Sequence, residues 1–159
     1  MDLAAIARRL EIAELYADYA LCLDADELER WPDFFVAEAA YRITSAENYE
    51  AGLPLGLIYA TSRAMLKDRV AALREANIYE PQRYRHLVSA IKLVRDDGDT
   101  VAATANLMIV RTVQDGEMTI FAAGRYLDTV RREDGRWKFA DKLVVLDSRQ
   151  IDTLLAIPM

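Results

Sequence analysis

Three Asp-Gly dipeptides constrain most strongly what this chain can fold into. Asp-Gly is among the strongest local signals for a tight β-hairpin turn. The pairs are Asp97-Gly98, Asp115-Gly116 and Asp134-Gly135. They separate four segments of β pattern, at residues 84–95, 100–113, 118–131 and 137–147. Because each segment is longer than the usual strand of about 5–6 residues, the sequence predicts a strongly curved antiparallel meander.

The last of these segments alternates clearly. One predicted face carries Trp137, Phe139, Leu143 and Val145 together with Asp141 and Asp147. The other carries Lys138, Ala140, Lys142, Val144 and Leu146. Neither face is purely polar, so we expect both faces to be at least partly covered.

Helical patterns dominate the N-terminal half. Residues 3–23 predict a long helix with Asp2 as its N-cap, and the expected buried stripe is Ile6, Leu10, Ala13, Ala17 and Leu21. Further apolar residues widen this stripe, so we expect the helix to be buried on more than one side; they are Leu3, Leu15, Tyr16, Tyr19 and Leu23. A short helical segment at 26–30, a short strand at 40–44 and a loop at 45–57 are predicted next. A second helix is expected from Thr61 or Ser62 to about residue 76, with an inner face of Leu66, Val70 and Leu73.

Helices first and a curved sheet afterwards predict an α+β fold. We expect one domain over residues 1–159, in which N-terminal helices pack on a strongly curved, mostly antiparallel sheet, because this length suits a single core. The net charge of −6 argues against nucleic acid as a partner. No apolar run is long enough to span a membrane. The first residues lack the apolar region of a signal peptide, and the single Cys22 suits a reducing compartment, so a cytoplasmic location is expected.

The residue inventory limits the chemistry. One histidine and one cysteine cannot by themselves build a zinc site, a Rieske cluster or a two-histidine iron site. The glycine-rich phosphate-binding motifs and the G-x-S-x-G nucleophile motif are missing from the sequence. We therefore expect this chain to hold no cofactor.

The segment 59–87 combines five arginines with the only histidine, His86. An anion site, an active site and a docking surface are all compatible with that composition. As an active site, His86 would act as a general base with Asp24 or Tyr16, in an isomerase or dehydratase. The alternative is a structural or interface role, which acidic residues interleaved with the arginines favour through ion-pair networks. The expected interface residues are Arg63, Arg69, Tyr79, Glu80, Arg83, Tyr84, Arg85, His86, Asp147 and Arg149.

Two blocks and the last residues carry a resemblance to a known family. They are YATSRAMLKDRVAALREANIYEPQRYRHLVSAI (59–91), AAGRYLDTVRREDGRWKFADKLVVLDSR (122–149) and DTLLAIPM (152–159). The sequence resembles the small (β) subunit of aromatic-ring-hydroxylating dioxygenases, within the cystatin-like superfamily of nuclear transport factors and ketosteroid isomerases. The resemblance extends over nearly the whole chain, from about residue 15 to residue 159.

The resemblance implies a cystatin-like cone and a supporting role in aromatic compound catabolism. In that family a large (α) subunit holds the Rieske [2Fe–2S] cluster and the mononuclear iron. A reductase, often with a ferredoxin, supplies electrons from NADH. The resemblance also implies assembly with the large subunit as three of each, and a homotrimer when the chain is isolated. A small apolar-ligand-binding protein without chemistry is a further alternative.

Overall fold

The computed structural model describes residues 2–54, 56–76, 82–148 and 157–159. The helices and strands follow one another as α1 (Leu3–Asp24), a 3-10 helix (Trp31–Phe34), β1 (Phe35–Ser45), α2 (Ala46–Glu50), β2 (Ile58–Ala60), α3 (Arg63–Ala76), β3 (Arg83–Asp96), β4 (Thr100–Thr112), β5 (Met118–Glu133) and β6 (Arg136–Leu146).

The six strands form one sheet in the order β2-β1-β6-β5-β4-β3. Strands β3 to β6 are joined by three antiparallel hairpins, and among the strand pairs of the described residues only β1–β6 is parallel. In each predicted Asp-Gly turn the glycine has a positive φ. In the third turn Asp134 has a positive φ as well, and two central residues at positive φ are what a type I′ two-residue hairpin turn requires. The predicted meander is therefore confirmed.

The sheet curls around α1 and is not closed. Helix α1 contacts β3 at the sheet edge and also β6, which lies three places further along the sheet. Register shifts in the β3–β4, β4–β5 and β5–β6 pairs mark β-bulges, which bend strands. Helices packed on a curved, mostly antiparallel sheet confirm the predicted α+β cone.

The predicted burial of α1 is confirmed only in part: Leu15, Tyr16, Tyr19 and Leu23 are buried as expected, whereas the central stripe and Leu3 are not. Leu10 and Leu21 are 62% and 63% exposed, and Ile6 is also exposed. The buried positions are instead Ile12, Leu15, Tyr16, Tyr19, Ala20, Cys22 and Leu23. Apolar residues occur on both faces of this helix, so periodicity could not choose between them, and the face with the two tyrosines buries the larger area. The predicted N-cap is confirmed, since the Asp2 carboxylate accepts a hydrogen bond from the Ala5 N–H (2.7 Å).

The region between α1 and α3 differs from the expectation in detail. Residues 25–30 form turns rather than a helical segment, and the 3-10 helix follows with Pro32 near its start. The predicted strand at 40–44 is longer, and the predicted loop contains α2. Helix α3 agrees with the prediction: Ser62 Oγ accepts from the Met65 N–H (3.2 Å), and Leu66 and Val70 are buried.

The predicted alternation of β6 fails at one residue. Thr129 pairs with Asp141, whereas its neighbour Val130 pairs with Phe139, so Ala140 is an extra residue in β6. This bulge reverses the alternation beyond it. As a result Trp137 and Phe139 share the buried side with Lys142, Val144 and Leu146.

Candidate functional site

Aromatic side chains fill the interior of the cone. The ring centroids of Tyr19 and Phe139 lie 5.2 Å apart, and those of Trp31 and Tyr41 lie 5.1 Å apart, both in edge-to-face geometry. Further fully buried rings belong to Tyr16, Phe35 and Tyr126. The space that a cone-fold enzyme would keep for its substrate is thus occupied by side chains.

A buried lysine lies among these rings. The side chain of Lys142 is fully buried, and its Nζ donates to Asp128 Oδ2 (2.8 Å). The same carboxylate oxygen accepts from the Tyr16 hydroxyl (2.6 Å). Lys142 Nζ also lies 3.4 Å from the ring centroid of Tyr126 and 4.0 Å from that of Phe139, so the cation is stabilised by π faces as well as by a carboxylate. The sequence interpretation missed this cluster because the Ala140 bulge turns Lys142 inward.

Burial dominates the titration of this cluster. It lowers the pKa of Lys142 to about 8, against the opposing attraction of Asp128. It raises the pKa of Asp128, against the same attraction. The pKa of Tyr16 is raised by burial and by the adjacent carboxylate. Asp128 Oδ1 and the Tyr126 hydroxyl have no hydrogen-bond partner among the described residues, so the cluster is a costly one to bury.

His86 and Asp24 form a second buried pair. Asp24 Oδ1 accepts from the His86 backbone N–H (2.9 Å) and lies 2.7 Å from His86 Nδ1. The other ring nitrogen, Nε2, lies 3.3 Å from the carbonyl oxygen of Pro158. Each ring nitrogen thus has an oxygen atom of the chain within hydrogen-bond distance, and the tautomer of His86 sets which nitrogen donates. Both nitrogens therefore lie against atoms of the chain itself, and the side chain of His86 is 1% exposed.

Tyr16 is separate from that pair. Its hydroxyl binds Asp128 rather than His86 or Asp24. Of the three residues of the isomerase or dehydratase alternative, the structure therefore brings His86 and Asp24 together and places Tyr16 beside Lys142 and Asp128.

The predicted interface residues fall into four groups. Arg83, Arg85 and Asp147 are exposed, and Arg63 and Arg69 are half-buried. Tyr84 and His86 alternate with the two exposed arginines along β3 and point into the chain's own core. Tyr79, Glu80 and Arg149 lie outside the described residues. Within the segment, Arg74 pairs with Asp26 and Glu29 of the loop after α1, so at least one of its arginines stabilises this chain's own fold.

Arg83 and Arg85 belong to a wider exposed surface. In the sheet, Arg83 of β3 lies opposite Thr112 of β4, which in turn lies opposite Met118 of β5. Arg85 likewise lies opposite Val110, and Val110 lies opposite Ile120. Met118 and Ile120 are 70% and 68% exposed. We call this surface the β3–β5 outer face, defined by Arg83, Arg85, Leu87, Val110, Met118 and Ile120. Arginines beside large apolar side chains are typical of protein–protein interfaces.

Two surface grooves lie outside the cone interior. The larger, of about 810 Å³, runs between α1 and the β5–β6 turn and includes Glu14 and Trp137. The smaller, of about 290 Å³, lies beside α2 and includes Arg42 and Tyr59. Neither is lined by His86, Asp24, Tyr16 or Lys142. Across the described residues, no group of three or more His, Cys, Asp or Glu side chains is placed to hold a metal ion, and no helix is long and apolar enough to cross a membrane.

Replacing His86 with alanine is expected to destabilise the chain by about 2–4 kcal/mol, because it leaves the buried Asp24 carboxylate without its ring partner. Asp24→Asn removes the charge and keeps an acceptor, so His86→Ala should cost less in that background. Urea unfolding of the wild type, the two single variants and the double variant measures the coupling free energy between His86 and Asp24. Additive effects would show that the two side chains do not stabilise each other.

The open, curved sheet with α1 packed on its inner side defines an α+β cone of the SnoaL-like class. The family model for the SnoaL-like domain matches residues 4–142. The chain is 40% identical over 150 residues to the β1 subunit of the terminal oxygenase component of terephthalate 1,2-dioxygenase from a Comamonas species, covering 94% of this chain and 97% of the relative. It is 40% identical over 149 residues to the anthranilate 1,2-dioxygenase small subunit from Burkholderia cepacia, covering 94% and 92%.

A crystal structure assigned to the β subunit of an aromatic-ring-hydroxylating dioxygenase from Novosphingobium aromaticivorans superposes with a TM-score of 0.90. Its sequence is 37% identical, and the match covers 99% of this chain and 100% of that chain. The chain belongs to the SnoaL-like domain family and, within it, to the small (β) subunits of aromatic-ring dioxygenases. The resemblance inferred from the sequence is thereby confirmed.

Proposed function

We propose that this protein is the non-catalytic β subunit of an aromatic-ring-hydroxylating dioxygenase and supports the assembly of a large subunit that carries out the chemistry. The observation that carries the proposal is the 40% identity to two dioxygenase small subunits over 94% of the chain. Relatedness of this extent applies to the whole chain and not to one motif.

The geometry of the cone supports the non-catalytic part of the proposal. Rings fill the interior, and both nitrogens of His86 are engaged by Asp24 and Pro158. A general base must be within hydrogen-bond reach of a substrate proton, and this histidine is enclosed by the chain itself. The isomerase or dehydratase alternative has no comparable support.

The β3–β5 outer face is the proposed docking surface for neighbouring subunits. It exposes Met118 and Ile120 beside Arg83 and Arg85, so a partner could bury apolar area and pair with the guanidinium groups. Asp147, Arg63 and Arg69 remain proposed as interface residues at other positions. Tyr84 and His86 are proposed only as supports, because their side chains lie beneath that face.

The finer composition of the complex is also part of the proposal. The large subunit would hold a Rieske [2Fe–2S] cluster and a mononuclear iron, with three subunits of each kind in the cytoplasm. The only histidine and the only cysteine of this chain cannot by themselves supply either ligand set. The isolated β subunit would form a homotrimer.

Co-expression with the Rieske-type large subunit of the same organism tests this function. The two chains are expected to copurify in equal amounts, and Ile120→Asp should weaken their association at least tenfold by placing a charge in the docking surface. Val94→Asp is the matched control, because Val94 is equally exposed on β3 but lies outside the defined face. Light scattering on the isolated β subunit measures the homotrimer.

Two outcomes would contradict the proposal. One is a large subunit that assembles and turns over aromatic acids such as terephthalate or benzoate equally well without this chain. The other is equal loss of association with Ile120→Asp and Val94→Asp, which would reject the β3–β5 outer face as the docking surface.

A further inference from the structure

The smaller surface groove, of about 290 Å³, lies on the outer side of the sheet and is separate from the cone interior. Its floor is a row of side chains from three neighbouring strands, in which Arg42 of β1 lies opposite Tyr59 of β2 and also opposite Leu143 of β6. The neighbours of Arg42 along β1, Tyr41 and Ile43, are fully buried in the core. Because side chains alternate along a strand, Arg42 points away from the core and into the groove.

The wall of the groove is formed by α2 and the residues that follow it, including Tyr49 and Leu53. Two backbone hydrogen bonds fix this wall to the rest of the fold. The Leu53 N–H donates to the carbonyl oxygen of Asn48 (3.0 Å), and the Leu57 N–H donates to that of Ile43 on β1 (2.7 Å). The groove is therefore organised by the chain itself, and a ligand would find it already formed.

Two hydrogen-bond donors at this groove have no acceptor. Thr44 lines the groove and is 7% exposed, and its hydroxyl has no hydrogen-bond partner among the described residues. The Nε of Arg42 is also buried and has no acceptor there, although Nη2 of the same side chain donates to both carboxylate oxygens of Asp141 (3.1 and 3.0 Å). Buried donors without acceptors are costly, so these two favour a ligand that brings acceptor oxygens.

Charge and aromatic rings at the groove indicate the rest of the ligand. Among the described residues that line it, Arg42 is the only charged one. Arg125 of β5 lies 5.5 Å from the ring centroid of Tyr49 and brings a second guanidinium group to the wall. Guanidinium groups bind carboxylates through paired hydrogen bonds, and the exposed rings of Tyr49 and Tyr59 offer surfaces for a planar apolar body. The volume of about 290 Å³ suits a molecule with one ring.

We propose that this groove on the outer side of β2, β1 and β6 is a binding site for a small aromatic carboxylate. The carboxylate accepts from the Arg42 guanidinium and, at the base of the groove, from the Thr44 hydroxyl. The ring packs against Tyr59 and Leu143. Asp141 competes with the ligand for Arg42. The site lies at the β2 end of the sheet, whereas the β3–β5 outer face lies at the other end, so it does not depend on the proposed docking surface.

Isothermal titration calorimetry of the full chain with benzoate tests the site. We expect a dissociation constant of about 1 mM or lower. Benzoate should change the amide chemical shifts of β1, β2 and α2 more than those of β3 and β4. Benzamide keeps the ring and lacks the charge, whereas acetate keeps the charge and lacks the ring, so each should bind about tenfold more weakly than benzoate.

Two substitutions in the ion pair should change the affinity in opposite directions. Arg42→Met removes the guanidinium and should weaken benzoate binding about tenfold, whereas Asp141→Asn removes the competing carboxylate and should strengthen it about threefold. Arg131→Met is the matched control, because Arg131 is 41% exposed against 38% for Arg42 and also pairs with an acid, Glu38, but does not line the groove. If Arg42 served only its ion pair, neither substitution would change the affinity.

The proposal is overturned if the full chain does not bind benzoate at concentrations up to about 20 mM, or if Arg42→Met binds it as tightly as the wild type. Tighter binding of inorganic phosphate than of benzoate would also overturn it, because phosphate makes no use of the aromatic surface. If Arg42→Met does not fold, Arg42→Lys takes its place: it keeps the charge without the planar fork, and an unchanged affinity rejects the site. These measurements use the isolated chain, so their failure is distinct from a failure to assemble with the large subunit.

Discussion

Replacing Lys142 with methionine is expected to lower the free energy of unfolding by about 3–5 kcal/mol. The change leaves the Asp128 carboxylate fully buried with only the Tyr16 hydroxyl as a hydrogen-bond donor from a side chain. An uncompensated charge in an aromatic interior costs far more than the lost packing of a lysine stem. Urea unfolding monitored by circular dichroism measures the effect.

Two controls separate the effect of the unpaired charge from a general loss of stability caused by substitutions in β6. Lys138→Met changes a partly exposed lysine on the same strand, paired with Glu133 at 3.0 Å, and should cost less than about 1 kcal/mol. Adding Asp128→Asn to Lys142→Met removes the unpaired charge and keeps an acceptor for Tyr16, so most of the stability should return. A loss below about 1 kcal/mol for Lys142→Met would show that the buried pair contributes little.

The same lysine predicts how stability depends on pH. In the folded chain burial lowers its pKa to about 8, whereas its ordinary value is 10.5. Between these values the unfolded state binds the proton more tightly than the folded state, so the destabilisation present below pH 8 is relieved as the pH rises. The stability of the wild type relative to the Lys142→Met, Asp128→Asn double variant should therefore increase from pH 8 to pH 10.5. A flat difference over this range would contradict the lowered pKa.

Replacing Gly124 with alanine is the second change with a large expected effect, about 3 kcal/mol or more. A Cβ at this position would lie 2.1 Å from the carbonyl oxygen of Val145 and 2.9 Å from the Cα of Leu146. Both atoms belong to the backbone of β6, which pairs with β5 at this point, so they cannot rotate away as a side chain would. We expect the β5–β6 pairing to shift locally and the protein to unfold at lower urea concentration.

Gly98→Ala is the matched control for this prediction. Its added Cβ would meet no atom within 4 Å, but its φ of +89° is unfavourable for alanine. A cost of about 1 kcal/mol is therefore expected from conformation alone. If Gly124→Ala were no worse than Gly98→Ala, the close approach of β5 and β6 would have to relax at little cost.

The sequence alone determined the meander, the helix α3 and the family. Asp-Gly turns and the Ser62 cap are local devices, since each acts through the backbone of a few neighbouring residues. The resemblance used long continuous blocks of residues, which is why it extended to nearly the whole chain. Counting histidines and cysteines also led to the expectation that this chain holds no cofactor.

Only the tertiary structure decided which side chains are inside. Helix α1 is apolar on two faces, so its periodicity could not show that Tyr16 and Tyr19 are buried while Leu10 and Leu21 are exposed. The bulge at Ala140 depends on how β6 pairs with β5, and it carries Lys142 into the core against the predicted alternation. Likewise, Met159 meets Tyr19 and Tyr41 from more than a hundred residues away, a contact that no local pattern specifies. Turns and caps are set by nearby residues, whereas the buried lysine and the filled mouth of the cone depend on which distant strands lie opposite each other.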